Sequence, residues 1–269
     1  MAVSFRLENV NFRYQHGAVV PGLKKLDCQI EAGEVLAVLG PSGVGKTTLL
    51  MILGLLWEPD FKNRTVGNNG VGHVNNRLMG CIEYTDRRGN KHVYHELSAE
   101  RVAKIRREEF GFAFQSSYLL PHISCIENVA MPLALAGYRR EDRLDRAKTL
   151  FVGDLSDKTE HAFSELSGGQ RQRVAVMRAL VHDPQVVFAD EPFSQLDERN
   201  KFALLATLMD WHRGSFRWQM PDNKRTLILI CHDRKVAAKY ADRCLVLDEV
   251  DAPKLVPSDS LNADSQGND

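Results

Sequence analysis

The sequence predicts an α/β fold built on a mostly parallel sheet, and three observations predict it. Short apolar runs of strand length alternate along the 269 residues with longer helical patterns, the order that parallel strands with crossover helices require. A glycine-rich loop sits between one such run, Glu34 to Leu39, and an apolar helical stretch, Thr47 to Leu56. A second buried-type run, Val186 to Ala189, ends in the adjacent carboxylates Asp190 and Glu191.

The elements follow in order. Phe5, Leu7 and Val10 stand among polar residues, and Leu26, Cys28 and Ile30 alternate with them again, so the N-terminus reads as strands. Residues 61–97 are rich in Asn, Gly and Arg, with a turn expected at Asp86 to Asn90 and a strand over Lys91 to Leu97. Ser98 to Glu109 reads as a polar helix, and Phe110 to Gln115 returns to strand. Ser124 and Glu127 form a capping box ahead of Asn128 to Ala136, which starts a helix. Arg139 to Phe151 and Gly169 to Val181 follow as helices. Asp197 can cap another, in which Phe202, Leu205, Leu208 and Met209 share a face. Leu227 to Cys231 and Cys244 to Leu247 are further strands. The Ser/Asp/Asn-rich tail from about Val256 to Asp269 is expected to be disordered.

Composition excludes some functions. Lysine and arginine number 35 and acidic residues 35, so no net field draws the chain to nucleic acid. No stretch approaches the ~20 apolar residues that span a bilayer, and Met1 to Val10 lacks the apolar core of a secretory leader. A cytoplasmic location is therefore expected, with any membrane part supplied by another chain. The five cysteines form no C-x-x-C pair and read as reduced, mostly buried thiols.

The glycine-rich loop reads Gly40, Pro41, Ser42, Gly43, Val44, Gly45, Lys46, Thr47, Thr48 and fits the phosphate-loop pattern G-x-x-x-x-G-K-[ST]. Glycines let backbone N–H groups turn inward around phosphates, and the following helix N-terminus adds a favourable dipole. Lys46 places a charge on the β- and γ-phosphates, and the Thr47 hydroxyl is a Mg²⁺ ligand. At the end of the second run, Asp190 can hold Mg²⁺ through its water shell, and Glu191 can act as general base on the attacking water. The alternative, an Asp-Glu pair that only caps the next helix, is weakened because Asp197 is the better cap.

Leu166, Ser167, Gly168, Gly169 and Gln170 spell Leu-Ser-Gly-Gly-Gln before Arg-Gln-Arg-Val-Ala. With the phosphate loop and the acidic strand, this pentapeptide closely resembles the signature of the ABC (ATP-binding cassette) ATPase family over residues 3–250. The resemblance implies a P-loop NTPase core with an N-terminal antiparallel β portion and a helical signature subdomain, one domain over 1–255 with a helical lobe near 116–182. It implies ATP and Mg²⁺ as ligands, and a second cassette, a homodimer by expectation, whose ATP meets Ser167, Gly168 and Gly169. It assigns Gln115 to Mg²⁺ or water, Ser194 to Asp197 to the loop crossing between cassettes, His232 to the γ-phosphate and Tyr14 to stacking on adenine. Structural roles stay open for His232 and, more so, for Tyr14.

Gly111 to Gln115, Leu119 to Pro121 and Glu127 to Leu133 are similar to the lipoprotein-release, macrolide-efflux and cell-division cassettes. That likeness implies an integral membrane permease partner, energised for export or mechanotransmission, with the cassette on the cytoplasmic face of the inner membrane and touching no substrate. Tyr118, Leu119, Leu120, Ile123 and Met131 are candidates for a docking groove, or for internal packing. Three segments depart from the pattern. Phe193 is bulky where relatives carry small residues. The 61–97 stretch is long and holds His73, Cys81, His92 and His95, though strand alternation puts His92 and His95 on opposite faces and argues against a metal. Gly214 to Lys224 adds Phe216, Trp218, Met220 and Pro221, which fold back on the core or meet a partner. A cytosolic ABC ATPase acting on nucleic acid or ribosomes, and a weakly hydrolysing regulatory cassette, remain the alternatives.

Overall fold

A computed structural model describes residues 2–14, 19–57, 77–194, 196–221 and 223–262. In chain order come strands β1 (Val3–Arg13), β2 (Leu26–Glu31) and β3 (Val35–Leu39), helix α1 (Lys46–Leu53), and strands β4 (Arg77–Thr85) and β5 (Lys91–Val93). Helix α2 (Ala99–Glu108), strand β6 (Phe110–Ala113) and helices α3 (Cys125–Leu135), α4 (Arg140–Lys148) and α5 (Gly168–Leu180) follow. The chain ends with β7 (Val186–Asp190), α6 (Glu198–Arg213), β8 (Thr226–Ile230), α7 (Arg234–Tyr240), β9 (Arg243–Val246) and β10 (Lys254–Pro257). These elements gather into two compact units, Met1–Val102 with Ile230–Asp269, and Ala103–Leu229.

In the first unit β1 pairs antiparallel with β2 and β4, and β4 with β5, which is the N-terminal antiparallel portion that the resemblance implied. The buried apolar residues of β1 are Phe5 and Leu7, then Val10 and Phe12. The switch from odd to even positions is a bulge: register shifts between Leu7 and Val10 against β2, and Asn9 adopts φ 48°. An extra residue at that point turns the next side chain back to the same face. Across the bulge, Gly80 has φ +98°, and a Cβ there would lie 2.4 Å from the Asn9 carbonyl, so only glycine fits. A second group of strands in this unit joins β3 parallel to β9 and β9 antiparallel to β10. All five residues of β3 are buried, as in a strand covered on both faces.

Some expectations change here. The strand expected over Lys91 to Leu97 stops at Val93, and Tyr94–Glu96 turn as a 3-10 helix. Tyr94 is buried and its hydroxyl donates to the Leu53 carbonyl, a bond that favours the turn over extension. His92 lies 3.1 Å from Asp86 and 2.8 Å from Arg101, while Asp86 accepts the backbone N–H groups of Arg88 and Asn90. The turn expected at Asp86 to Asn90 is thus tied off by its own first residue. No group of three His, Cys, Asp or Glu suited to a metal occurs among the described residues; His73 and the rest of 61–76 lie outside them. Val256 to Asn262, expected as tail, forms the end of β10 and a 3-10 turn, with Leu261 buried. Pairing of Val256 with Cys244 supplies the order that the polar composition did not announce. Residues 263–269 lie outside the description.

In the second unit β6 and β7 run parallel, with Phe110 opposite Val186 and Ala113 opposite Ala189, and β8 lies on the other side of β7. Helices α3, α4 and α5 share a core of Ile126, Val129, Leu133, Ala147, Val174 and Met177. The Ser124–Glu127 capping box forms at the start of α3. On α6 the buried face is Leu204, Leu205, Leu208, Met209 and Trp211, whereas Phe202, expected to share it, is half exposed because it lies on the flank of that face in the early part of the helix. After Gly214, Phe216 and Trp218 stack with centroids 5.2 Å apart and pack on the helical core. Arg146 sits 4.1 Å over the Trp218 ring, and Trp218 donates to Thr149 Oγ1 at 3.0 Å. The segment therefore folds back on the core. A buried Arg225–Asp183 pair, 2.7 Å apart, holds its base. All five cysteines are free; burial pushes the Cys28 thiol up to about 12 and that of Cys244 up to about 11, so both are unreactive thiols at neutral pH.

Candidate functional site

The first unit carries the phosphate loop. It follows β3 directly, and Leu39 pairs with Val246 of β9, so the loop leaves from the carboxyl end of a buried parallel strand. Gly40, Gly43 and Gly45 have φ of +147°, +83° and +115°. A Cβ on Gly40 would stand 2.5 Å from the Leu247 carbonyl and one on Gly45 2.3 Å from Val20, while Gly43 faces open space. The first two glycines are therefore required by fit, and the third by its left-handed backbone. Gly45 caps α1 without a side-chain bond to the helix end, and a helix N-terminus favours an anion. Lys46 is buried, and its Nζ donates to the carbonyls of Gly40 at 2.8 Å and Pro41 at 2.9 Å. Those bonds fold the ammonium over the loop. Pro41, Ser42 and Thr47 are exposed, whereas Val44 and Thr48 are buried.

Tyr14 and Thr48 meet: the phenol and the Thr48 hydroxyl are 2.8 Å apart. The Tyr14 ring stands edge-on to Phe12 at 5.4 Å and tilted to Trp57 at 5.7 Å, and it is 37% exposed. The residue is thus partly exposed while its hydroxyl bonds to α1. Trp57 was not read from the sequence; its only signal was an aromatic just past the P-loop helix. His232 is exposed and follows Cys231, whose N–H donates to the Val38 carbonyl at 3.4 Å. That bond places the histidine beside the strand feeding the loop.

The second unit carries the carboxylates. Because Ala113 and Ala189 are opposite each other in a parallel pair, Gln115 and Glu191 leave the same end of two adjacent strands. One cleft is lined by Gln115, Gly168, Gln172, Glu191, Pro192, Ser194 and Leu196. Glu191 has φ 46°, a left-handed conformation that is costly for a side chain with a Cβ, and its carbonyl accepts the N–H and hydroxyl of Ser194, each at 3.2 Å. Asp190 is the last residue of β7. Phe193 is buried, so the bulky residue turns inward instead of thickening the surface. Gln195 lies outside the described residues.

The signature forms the start of α5. Ser167 caps it: its Oγ accepts the Gln170 N–H at 3.2 Å, and the Gln170 side chain takes back the Ser167 N–H at 3.0 Å. Ser167 and Gly168 are exposed, and a Cβ on Gly168 would touch nothing within 4 Å. Asp197 caps α6, accepting the Asn200 N–H at 2.8 Å. That bond, more than any other group, holds its carboxyl below the usual range. The sequence reading missed Gln172 and Arg178 of α5. Gln172 had no signal beyond being two residues past the signature.

The residues present fit ATP and Mg²⁺. The loop has left-handed glycines and an uncapped helix start for phosphate oxygens. Thr47 is an oxygen donor in the first unit, and Gln115 and Asp190 are oxygen donors in the second, the ligand type that Mg²⁺ takes while keeping several waters.

Comparison with known proteins agrees. Residues 23–194 match the ABC transporter family. The chain is 35% identical over 245 residues to the macrolide export ATP-binding/permease protein MacB of Rhodopseudomonas palustris, covering 90% of this chain and 32% of that one. It is 34% identical over 264 residues to MacB 1 of Yersinia pestis, covering 97% and 35%. The chain thus spans about a third of the length of the curated relatives it matches. Among solved structures, the dimeric post-hydrolysis state of the ATP-binding cassette MJ0796 bound to ADP and Pi superposes with a TM-score of 0.73 at 28% identity, covering 94% of this chain and 98% of that one. With phosphate loop, acidic strand and signature all within or beside the matched residues, this chain belongs to the ABC transporter family and is an ATP-binding, ATP-hydrolysing cassette.

Proposed function

We propose that this cassette pairs head-to-tail with a second cassette and drives an integral membrane permease in export, from the cytoplasmic face of the membrane. The observation that carries the hydrolytic part is the cleft that gathers Gln115 and Glu191 at the ends of two paired strands. The membrane part rests on the likeness to proteins named as ATP-binding/permease exporters. No helix among the described residues is long and apolar enough to cross a membrane, so the permease lies outside them.

Each residue has a role in this reading. Tyr14 stacks on the base. Gly40 to Thr48 wrap the phosphates with backbone N–H groups, and Lys46 sets its charge on the β- and γ-oxygens. Thr47, Gln115 and Asp190 would hold Mg²⁺, which would supply charge neutralisation for the phosphate oxygens. Glu191 takes the proton of the attacking water, and His232 hydrogen-bonds the γ-phosphate and orients that water. Ser167, Gly168, Gly169 and Gln170 cap the γ-phosphate of the ATP held by the other cassette, and Asp197 stands at the crossing loop between the two. Hydrolysis removes the shared contacts, and the pair reopens.

The test is Glu191→Gln. Turnover is expected to fall by about 10²–10⁴ with ATP binding intact, and the protein to run as a dimer with ATP and as a monomer without it. Tagged Glu191→Gln purified from solubilised membranes with ATP is expected to bring down a multi-spanning protein. Recovery of ribosomes or nucleic acid instead would sink the membrane reading and leave the ATPase standing.

A further inference from the structure

The ladder between β6 and β7 ends at Ala113 opposite Ala189. Beyond it the chain from Phe114 to Tyr118, which carries Gln115, is held by side chains of α5. The Gln172 amide donates to the Phe114 carbonyl at 2.6 Å, just before Gln115. The Arg178 guanidinium donates to the Ser117 carbonyl at 2.8 Å and the Tyr118 carbonyl at 2.7 Å, just after it. Tyr118 is in the left-handed region at φ 45°, a backbone that persists where its surroundings over-determine it. Gln172 is buried and lines the same cleft as Gln115 and Glu191.

We propose that Gln172 and Arg178 are positioning residues: from one rigid helix they fix the backbone on both sides of Gln115, and so aim that side chain into the hydrolytic cleft. The inference rests on the ATPase reading of Gln115 and Glu191. Helix α5 begins at the Ser167 cap and runs thirteen residues. A shift of the signature end is therefore delivered along the helix to the carbonyls flanking Gln115. Arginine is needed at 178 because one planar fork reaches two neighbouring carbonyls, which a point-like ammonium does not do.

The test compares Gln115→Ala, Gln172→Leu and the double variant in the full chain, measuring ATP turnover, KM for ATP and the Mg²⁺ concentration for half-maximal turnover. Gln172→Leu is expected to lower kcat by about ten- to a hundredfold, to raise the Mg²⁺ requirement, and to leave KM for ATP within about twofold. The double variant is expected to be no slower than Gln115→Ala, because Gln172 acts through Gln115. Arg178→Lys, which keeps the half-buried cation, is the second variant and is expected to show the same split more weakly. Wild-type kcat in folded Gln172→Leu, or losses that add in the double variant, would overturn the proposal while leaving the ATPase reading intact. Wild-type turnover in Gln115→Ala would overturn both.

Discussion

The starts of α1 and α5 both carry glycines, and they are built differently. At α1 the shape comes from backbone: Gly40 and Gly45 occupy conformations and spaces closed to any side chain, no side chain caps the helix, and a buried lysine is folded over the loop. At α5 the shape comes from side chains: Ser167 and Gln170 close a capping box, and the exposed Gly168 has room for a Cβ. The first is shaped by glycines and backbone. The second is closed by its own side chains, with Gly168 exposed. The difference fits the proposed function, in which one start grips a nucleotide within its own chain and the other meets the nucleotide held by a second cassette.

Substitutions at matched positions sharpen or break that contrast. The largest effect is expected at Gly45→Ala. A Cβ at φ +115° that also meets Val20 costs about 1–3 kcal/mol, lowering Tm by about 2–4 °C per kcal/mol. ATP binding by the isolated chain, followed by calorimetry, is expected to vanish. Next comes Ser167→Ala, which loses the cap of α5 and is expected to cost about 1 kcal/mol while ATP binding by the monomer is unchanged. The smallest stability effect belongs to Gly168→Ala. It is expected to change stability by less than about 1 kcal/mol, in the favourable direction for a helix position, and to leave monomer ATP affinity alone while weakening ATP-dependent pairing of Glu191→Gln chains. If Gly168→Ala instead reduced ATP binding by the monomer, the signature would be serving its own chain and the contrast would fail.

Much of the site was legible because its chemistry is local. The phosphate loop needs glycines and a lysine at fixed spacing, the capping boxes need Ser and Glu or Gln three residues apart, and a buried parallel strand reads as an unbroken apolar run. Each is satisfied by near neighbours in sequence, so Gly40 to Thr47, Ser167 to Gln170 and Val186 to Glu191 could be read directly. Alternation misled where the backbone left the regular pattern. The Asn9 bulge changes the parity of β1, the Tyr94 bond to Leu53 ends β5 early, and Phe202 falls outside the buried face of α6. Tail order at Val256 depends on a ladder to Cys244, a contact with no local signature.

The sequence by itself determined the fold class, the phosphate loop, the acidic strand and the signature, since these follow from residue type at short spacing. Only the tertiary structure decided which side chains surround Gln115, that Phe193 and the Phe216–Trp218 pair turn inward, and that Tyr14 leans on Thr48 and Trp57. The bonds of Gln172, Arg178 and Tyr14 join residues 34 to 61 positions apart, and Trp218 reaches Thr149 across 69; burial of a particular side chain against a distant partner depends on packing, which leaves no period or spacing to read.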